Sequence, residues 1–219
     1  MRIIQDVRCD LSKIPTSIIP NAIDSRIFTY QVKDPVLRFK VLSIRSFSSR
    51  KYANDLSVDA VLKLSKLPGF DEFHFTFVGS GRLFDPLMAK LRHLDNVTIR
   101  KTFLTHDDIR ELHQTHGVML IPTRQDSQGV SMGEAMSSGL VPIASDNTAI
   151  PEFLDETCGF LAKDAQEMAL AMKALADDPA LFSLKSAATA LRVRTQCGTE
   201  VILKQELALI FEGLDQENA

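Results

Sequence analysis

Short apolar runs alternate with helical segments through most of this chain of 219 residues. Residues 39–44, 73–78 and 117–122 are mostly apolar runs of strand length, and each precedes a segment with helical periodicity. Runs of this kind are typical of strands that are buried on both faces of a parallel sheet. The alternation therefore predicts an α/β fold with a single Rossmann-like, doubly wound parallel sheet and right-handed connections.

The remaining segments extend this pattern. A short strand is predicted at residues 97–99, and residues 105–108 have a capping-box signature that predicts the start of the next helix. Pro142 in the run 141–145 indicates a strand that begins at the proline or lies near a sheet edge. The segment before the first strand is predicted to be irregular, with at most one short strand at residues 16–19. Beyond residue 161 the pattern predicts a helical tail, with helices beginning near Asp164, Pro179 and Thr199.

Composition narrows the class of protein. A formal net charge of −3 argues against nucleic-acid binding, which needs a clustered basic excess. The three cysteines show no metal-ligand or redox spacing, which favours reduced thiols. No apolar run reaches the roughly 20 residues of a membrane span, and residues 1–8 lack the apolar core of a signal peptide. These features predict a cytoplasmic protein.

One segment combines a strand, a glycine turn and a helix. The predicted strand at residues 117–122 leads through Asp126 to Gly129 and into a helix that carries Glu134. Free backbone amides and a partly positive helix N-terminus make such a turn an anion site. A nucleotide sugar would suit this segment, because its phosphate could bind the amides and its hydroxyl groups could bind Glu134. Two alternatives remain open: Glu134 could be an exposed helix residue, and Asp126 could be a turn residue.

A basic loop is predicted to follow the first strand, at the same carboxyl ends of the strands as the glycine turn. Arg45 and Lys51 could close on one diphosphate from two sides, because charge-assisted hydrogen bonds to an anion are strong. The alternative is a solvated surface loop. Gly79 and Gly81 end the next strand and could let the backbone approach a ligand, but no dinucleotide or P-loop fingerprint is present.

Metal chemistry has little support in the sequence. The five histidines form no ligand cluster with a carboxylate or a cysteine. His113 and His116 lie three residues apart on a predicted helix, and a pair of surface histidines is the favoured interpretation. No metal or other cofactor is therefore expected.

Several short motifs occur in a fixed order along residues 17–161. They are I-P-N-A-I-D at residues 19–24, the Arg45 and Lys51 pair, V-G-S-G at 78–81, Phe103-Leu104, the segment 126–142, P-E at 151–152 and C-G-F-L at 158–161. In this order they resemble the C-terminal, donor-binding domain of a GT-B fold retaining glycosyltransferase of the glycosyl transferases group 1 family (family four). Six positions depart from the family pattern. Asp126 replaces a glutamate, Gln128 replaces an aromatic residue, and a glycine is replaced at each of Ala22, Ile44, Tyr52 and Thr102.

The resemblance implies roles for named residues. Arg45 and Lys51 would neutralise the donor diphosphate without a metal, and Asp126 would sit at the sugar, so these three are the expected catalytic residues. Glu134 would bind the ribose hydroxyls. The other expected donor-binding residues are Gly129, Val130 and Ser131 at the phosphate or sugar, Phe103 and Leu104 at the base, and Gly79.

The resemblance also implies a partner domain. GT-B enzymes have two Rossmann-like domains, so the chain would be a fragment, a separately encoded half or a truncated enzyme that lacks the acceptor-binding N-terminal domain. Residues 1–16 would be the connector, 17–197 the nucleotide-sugar-binding domain and 198–219 a helix that packs toward the missing domain or drives self-association. The expected activity of the intact enzyme, in the cytoplasm or at the inner face of the membrane, is hexose transfer to a glycan or lipid-linked acceptor in polysaccharide biosynthesis. The isolated domain would be inactive. The alternative is a non-catalytic GT-B-like interaction or regulatory module.

Overall fold

The computed structural model describes the backbone of residues 17–217 and the side chains of residues 17–211. The expected connector at residues 1–16 lies outside this range, as does the first residue of the short strand predicted at 16–19. Residues 17–19 are not in a strand. Within residues 17–217 no helix combines the length and the apolar character that a membrane crossing requires.

Six parallel strands form one sheet. They are β1 (Lys40–Ile44), β2 (His74–Gly79), β3 (Val97–Lys101), β4 (Val118–Ile121), β5 (Val141–Ser145) and β6 (Phe160–Ala162). Their spatial order is β3-β2-β1-β4-β5-β6, which is the doubly wound order of a Rossmann fold and confirms the predicted fold class. The order reverses between β1 and β4, and ligands of such sheets bind at this switch point.

Eight α-helices connect and extend the strands within the described residues. They are α1 (Asn54–Leu64), α2 (Phe84–Met88), α3 (His106–Thr115), α4 (Val130–Ser137), α5 (Ile150–Phe153), α6 (Ala165–Asp177), α7 (Pro179–Cys197) and α8 (Thr199–Glu217). Side chains begin several of them as the sequence predicts. Thr105 and Asp108 form a reciprocal capping box on α3, and Asp164 accepts hydrogen bonds from two amides of α6.

Apolar clusters cover both faces of the sheet. Consecutive strand residues alternate between the two clusters: Val41 faces the cluster formed with α1 and α6, while Leu42 faces the cluster formed with α4. Both residues are buried. Because both faces of the sheet are covered, a ligand can approach it at the ends of the strands.

The structure decides between the two alternatives for β5 and adds one strand. The strand β5 begins at Val141, one residue before the proline, and Pro142 pairs in register with Met119 of β4. Strand β6 was not predicted from the sequence, because three residues at a sheet edge are too few to show a period. The β5 strand lies next to this edge strand, as Pro142 indicated.

Candidate functional site

A cavity of about 740 Å³ lies at the carboxyl ends of β1 and β4, beside the switch point. Its lining residues come from two loops and from the first turns of α4: Arg45, Lys51, Tyr52, Gln125, Asp126, Ser127, Val130, Ser131 and Glu134. The three ionisable residues that the sequence analysis placed around one ligand, Arg45, Lys51 and Glu134, therefore line the same cavity.

Arg45 follows β1 directly and spans the gap between the two central strands. Its Nη2 donates a hydrogen bond to the carbonyl oxygen of Pro122 at 3.1 Å, and its Nη1 makes a long contact of 3.5 Å with Ser131 Oγ. The Nε–H finds no acceptor among the described residues. Burial lowers the pKa of the guanidinium, and the Asp126 carboxylate opposes this shift. Most of the donors of a buried cation are therefore uncommitted, which is the condition for binding an anion.

Tyr52 lies between the two cations of the site. The Arg45 guanidinium carbon is 5.2 Å from the centroid of the Tyr52 ring, and the Lys51 ammonium nitrogen is 4.9 Å from it. Cations at such distances are attracted to the ring face by about 0.5–2 kcal/mol. The aromatic ring thus holds two positive charges at one wall of the cavity, where the family pattern has a glycine.

Contacts with the β4–α4 loop fix the position of the basic loop. The Lys51 carbonyl accepts hydrogen bonds from Arg124 N at 2.8 Å and from Thr123 Oγ1 at 3.2 Å. Arg124 also forms a two-point ion pair with Asp55 on α1, at 2.7 and 2.9 Å. These bonds join two loops that are far apart in sequence, so the cations of one loop face the helix that follows the other.

The turn before α4 is organised by Asp126. Its Oδ1 accepts hydrogen bonds from Gln128 N at 3.3 Å and from Gly129 N at 2.8 Å. Gly129 has a φ of +79°, a left-handed conformation that favours glycine, and α4 starts at the next residue. The Gly129 amide, expected among the ligand-binding amides, is therefore held by Asp126. The amides of Val130 and Ser131 belong to the first turn, where N–H groups have no intrahelical acceptor.

Glu134 projects into the cavity from the second turn of α4. Burial raises the pKa of its carboxyl group, while the nearby His106 acts in the opposite direction. Its carboxylate makes no hydrogen bond or ion pair within the described part of the chain. A half-buried carboxylate without a partner is costly, and hydroxyl groups of a ligand would offset that cost.

A second cavity of about 290 Å³ adjoins the first and shares Arg45, Tyr52 and Ser131 with it. Its other walls are mostly apolar, and they include Phe103 and Leu104. Phe103 is 88% exposed and forms part of the rim. The cavity has the size and the apolar character that suit a flat heterocycle.

Gly79 also lines this second cavity, and a close backbone contact requires a glycine there. A Cβ atom at this position would lie 2.0 Å from the carbonyl oxygen of Arg45 and 2.9 Å from the Phe47 ring. The absent side chain therefore allows the ends of β1 and β2 to approach each other. Gly79 contributes to the site by permitting the position of Arg45.

His113 on α3 and His116 directly after that helix are both buried, so their interpretation as a surface pair is wrong. His116 Nε2 lies 2.9 Å from Thr76 Oγ1, and His113 Nδ1 lies 3.1 Å from Ser138 Oγ. Burial lowers the pKa of His113 to about 3 and that of His116 to about 4. No group of three His, Cys, Asp or Glu side chains in the described ranges could hold a metal ion.

The structure thus brings nine of the ten predicted site residues to two adjoining cavities, and Gly129 supports them from the turn. The position of Tyr52 beside both cations was not predicted, although its place directly after Lys51 was a usable signal. The position of His106 near Glu134 was not predicted either. His106 lies in a predicted cap, and its sequence gives no sign of a neighbour 28 positions away.

Solved structures share this fold. The C-terminal domain of a glycosyl transferase group 1 family protein (LpcC) from Francisella tularensis aligns with a TM-score of 0.68 and 19% identity, covering 81% of this chain and 100% of that one. A glycosyltransferase from Rickettsia africae gives 0.78 and 16% identity, covering 97% of this chain and 60% of that one. Alr3699/HepE from Anabaena, in complex with UDP and glucose, aligns with a TM-score of 0.73 and 15% identity, covering 90% of this chain and 57% of that one.

The Rickettsia and Anabaena proteins are longer than this chain, which spans less than two thirds of the length of each. No curated protein matches the sequence. The profile of the family described as glycosyl transferases group 1 matches residues 38–178, which is well over half of the chain and includes every element from β1 to α6. The chain therefore belongs to the glycosyl transferases group 1 family, and its fold is that of a GT-B C-terminal domain.

Proposed function

We propose that this domain binds the nucleoside diphosphate sugar donor of an enzyme that transfers a hexose to a glycan or lipid-linked acceptor in polysaccharide biosynthesis. The observation that carries the proposal is the position of Arg45, Lys51 and Glu134 around one cavity at the switch point of the sheet. Two cations suit a pyrophosphate and a carboxylate suits a ribose. The UDP and glucose bound by the Anabaena neighbour support a donor of this class.

Each of the two adjoining cavities would bind a different part of the donor. The smaller cavity, with Phe103, Leu104 and Gly79 in its wall, receives the base. Arg45 and Lys51 hold the pyrophosphate together with the first-turn amides of α4. The sugar then lies toward Asp126, at the far end of the larger cavity.

Charge neutralisation by side chains is the chemistry that this arrangement supplies. As the glycosidic bond breaks, negative charge grows on the pyrophosphate of the leaving nucleoside diphosphate. Preorganised cations that face this charge stabilise the transition state more than the ground state. Arg45 and Lys51 take this role in our proposal, which needs no metal ion.

Acceptor binding is assigned to a further domain. The longer neighbours contain additional chain, and an N-terminal acceptor domain would join through residues 1–16. The last helix, from residue 198 onward, would pack against it. Exposed apolar side chains on α8 support such a contact or a self-association: Leu203, Leu207, Ile210 and Phe211. The domain alone is expected to bind nucleotide weakly and to transfer no sugar.

Calorimetry with UDP, GDP and ADP tests donor binding. Arg45→Ala with Lys51→Ala should weaken the best nucleotide by about 100-fold, since each charge-assisted contact contributes about 1.5–3 kcal/mol. A control variant with Lys66→Ala and Arg92→Ala loses the same two positive charges from exposed positions and should bind as the wild type does. Equal binding by all three proteins would contradict the proposal.

A non-catalytic interaction module is the second candidate, and one observation favours it. One carboxylate oxygen of Asp126 accepts hydrogen bonds from two amides of its own turn, at a position where the family has a longer glutamate. If the domain has lost donor binding as a whole, no nucleoside diphosphate will bind with measurable affinity. The same calorimetry therefore separates the two candidates.

A further inference from the structure

Gln128 turns away from the donor cavity. It lies in the turn between β4 and α4, is only 6% exposed and does not line the larger cavity. Its side-chain oxygen accepts a hydrogen bond from Asn21 N at 2.6 Å, and its side-chain nitrogen donates one to Asn21 O at 2.9 Å. The aromatic residue of the family pattern could form neither bond.

The segment that receives this side chain is the point where both ends of the domain meet. The amide of Ile23 donates to Cys197 O at 2.8 Å, at the end of α7, and Ile23 forms a parallel bridge with Gly198. The Ile23 carbonyl accepts a hydrogen bond from Thr199 Oγ1 at 3.3 Å, where α8 begins. The chain that enters the domain and the helix that leaves it are therefore fastened to each other here.

Ile23 also contacts the helix that carries the site. A Cβ atom on Gly133 of α4 would lie 2.9 Å from Ile23 Cδ1, so the isoleucine packs directly against the helix backbone. Gln128 precedes the same helix by two residues, and its amide is held by Asp126. The turn, α4 and the junction of the two chain ends thus form one connected set of hydrogen bonds and contacts.

We propose that Gln128 is a positioning residue that couples the turn before α4 to the junction at Asn21–Ile23, where both chain ends of the domain meet. Order in the turn is transmitted through two part-buried hydrogen bonds to the segment Asn21–Ile23, which contacts the end of α7 and the start of α8. By linkage, a ligand that orders the turn also orders the junction, and the reverse holds equally. Only this effect of a nucleotide rests on the proposed function.

Amide exchange in the protein without nucleotide tests the coupling directly. Gln128→Leu removes both hydrogen bonds with little change in volume. The amides of Ile23 and Gly129, which do not bond to Gln128, should then exchange about 5-fold faster or more, the lower end of usual coupling between sites. Gln114→Leu, at an exposed glutamine of α3, is the matched control and should leave both rates unchanged. Unchanged rates at Ile23 and Gly129 in the Gln128 variant would overturn the proposal.

Gln128→Glu provides a second variant in case the leucine variant fails to fold. A carboxylate still accepts from Asn21 N but cannot donate to Asn21 O, whereas a protonated carboxyl group can do both. The exchange rate at Ile23, divided by that of the wild type at the same pH, should therefore fall toward one on acidification. Asp126, the titratable group of this turn, is present in both proteins, so a ratio that does not change with pH would count against the coupling.

A final arm adds UDP. In the wild type, saturating UDP should slow exchange at Ile23 by about 5-fold, and this effect should disappear in Gln128→Leu. If UDP fails to bind the wild type, the proposed function fails while the ligand-free result stands by itself. If UDP binds and slows exchange at Ile23 equally in both proteins, the coupling through Gln128 is refuted.

Discussion

Two buried histidines, His113 on α3 and His116 directly after it, should make this domain sensitive to acid. His113 is 1% exposed and His116 is 7% exposed, and burial is the largest cause that lowers each pKa below its ordinary value of 6.5. His116 Nδ1 faces the carbonyl oxygen of Leu112 at 2.8 Å, which can only accept, so this nitrogen carries the proton of the neutral ring. A second proton would place a charge inside the core, close to Lys33.

The sign of the effect follows from the two protonation states. The unfolded chain binds protons at both rings below its pKa of about 6.5, while the folded protein does not bind them until about pH 3 for His113 and about pH 4 for His116. Stability is therefore present above the unfolded pKa and is lost as the pH falls. Between about pH 6.5 and about pH 4.5, each ring should remove about 2 kcal/mol from the free energy of unfolding.

Urea unfolding at several pH values measures this loss. A variant with His113→Gln and His116→Gln should start from a lower stability but lose about 4 kcal/mol less on acidification than the wild type. His93→Gln, at an exposed histidine, is the control and should follow the wild type. Parallel pH profiles for the wild type and the double variant would refute the assignment of neutral, buried rings.

Two further predictions concern α4. Glu134→Gln should weaken UDP by about 5- to 10-fold, because a neutral amide replaces a charge-assisted acceptor, and should weaken 2′-deoxy-UDP less; equal losses would remove Glu134 from the ribose. Gly133→Ala should destabilise the domain by about 1 kcal/mol in urea, because overpacking against Ile23 costs more than the helix gains from alanine. Adding Ile23→Val removes the contacting methyl group and should recover that loss, and no recovery would show that the contact is not the cause.

The sequence predicted the elements that local chemistry determines. The order of strands and helices, the capping box at Thr105 and the starts of α6 and α7 follow from residues close together in the chain. The common location of Arg45, Lys51 and Glu134 also follows, because loops after neighbouring parallel strands meet at one edge.

Other features depend on contacts that no local pattern contains. Gln128 bonds to a residue 107 positions away, and nothing near it in sequence indicates that direction. The burial of His113 and His116 requires Thr76 on β2 and Ser138 after α4 as partners. The engagement of the Gly129 amide by Asp126 is local, but a turn of this kind competes with a ligand role that has the same sequence signature.

One ligand should span both cavities at the switch point, and a crystal structure of the domain with UDP would show whether it does. We expect the pyrophosphate within hydrogen-bond distance of Arg45 and Lys51, the ribose hydroxyls on Glu134 and the base beside Leu104. A groove of about 570 Å³ lies at the amino ends of β2 and β3, lined in part by His74, Asn96 and Thr98. If the nucleotide occupied that groove and left the switch-point cavities empty, the proposed donor site would be wrong.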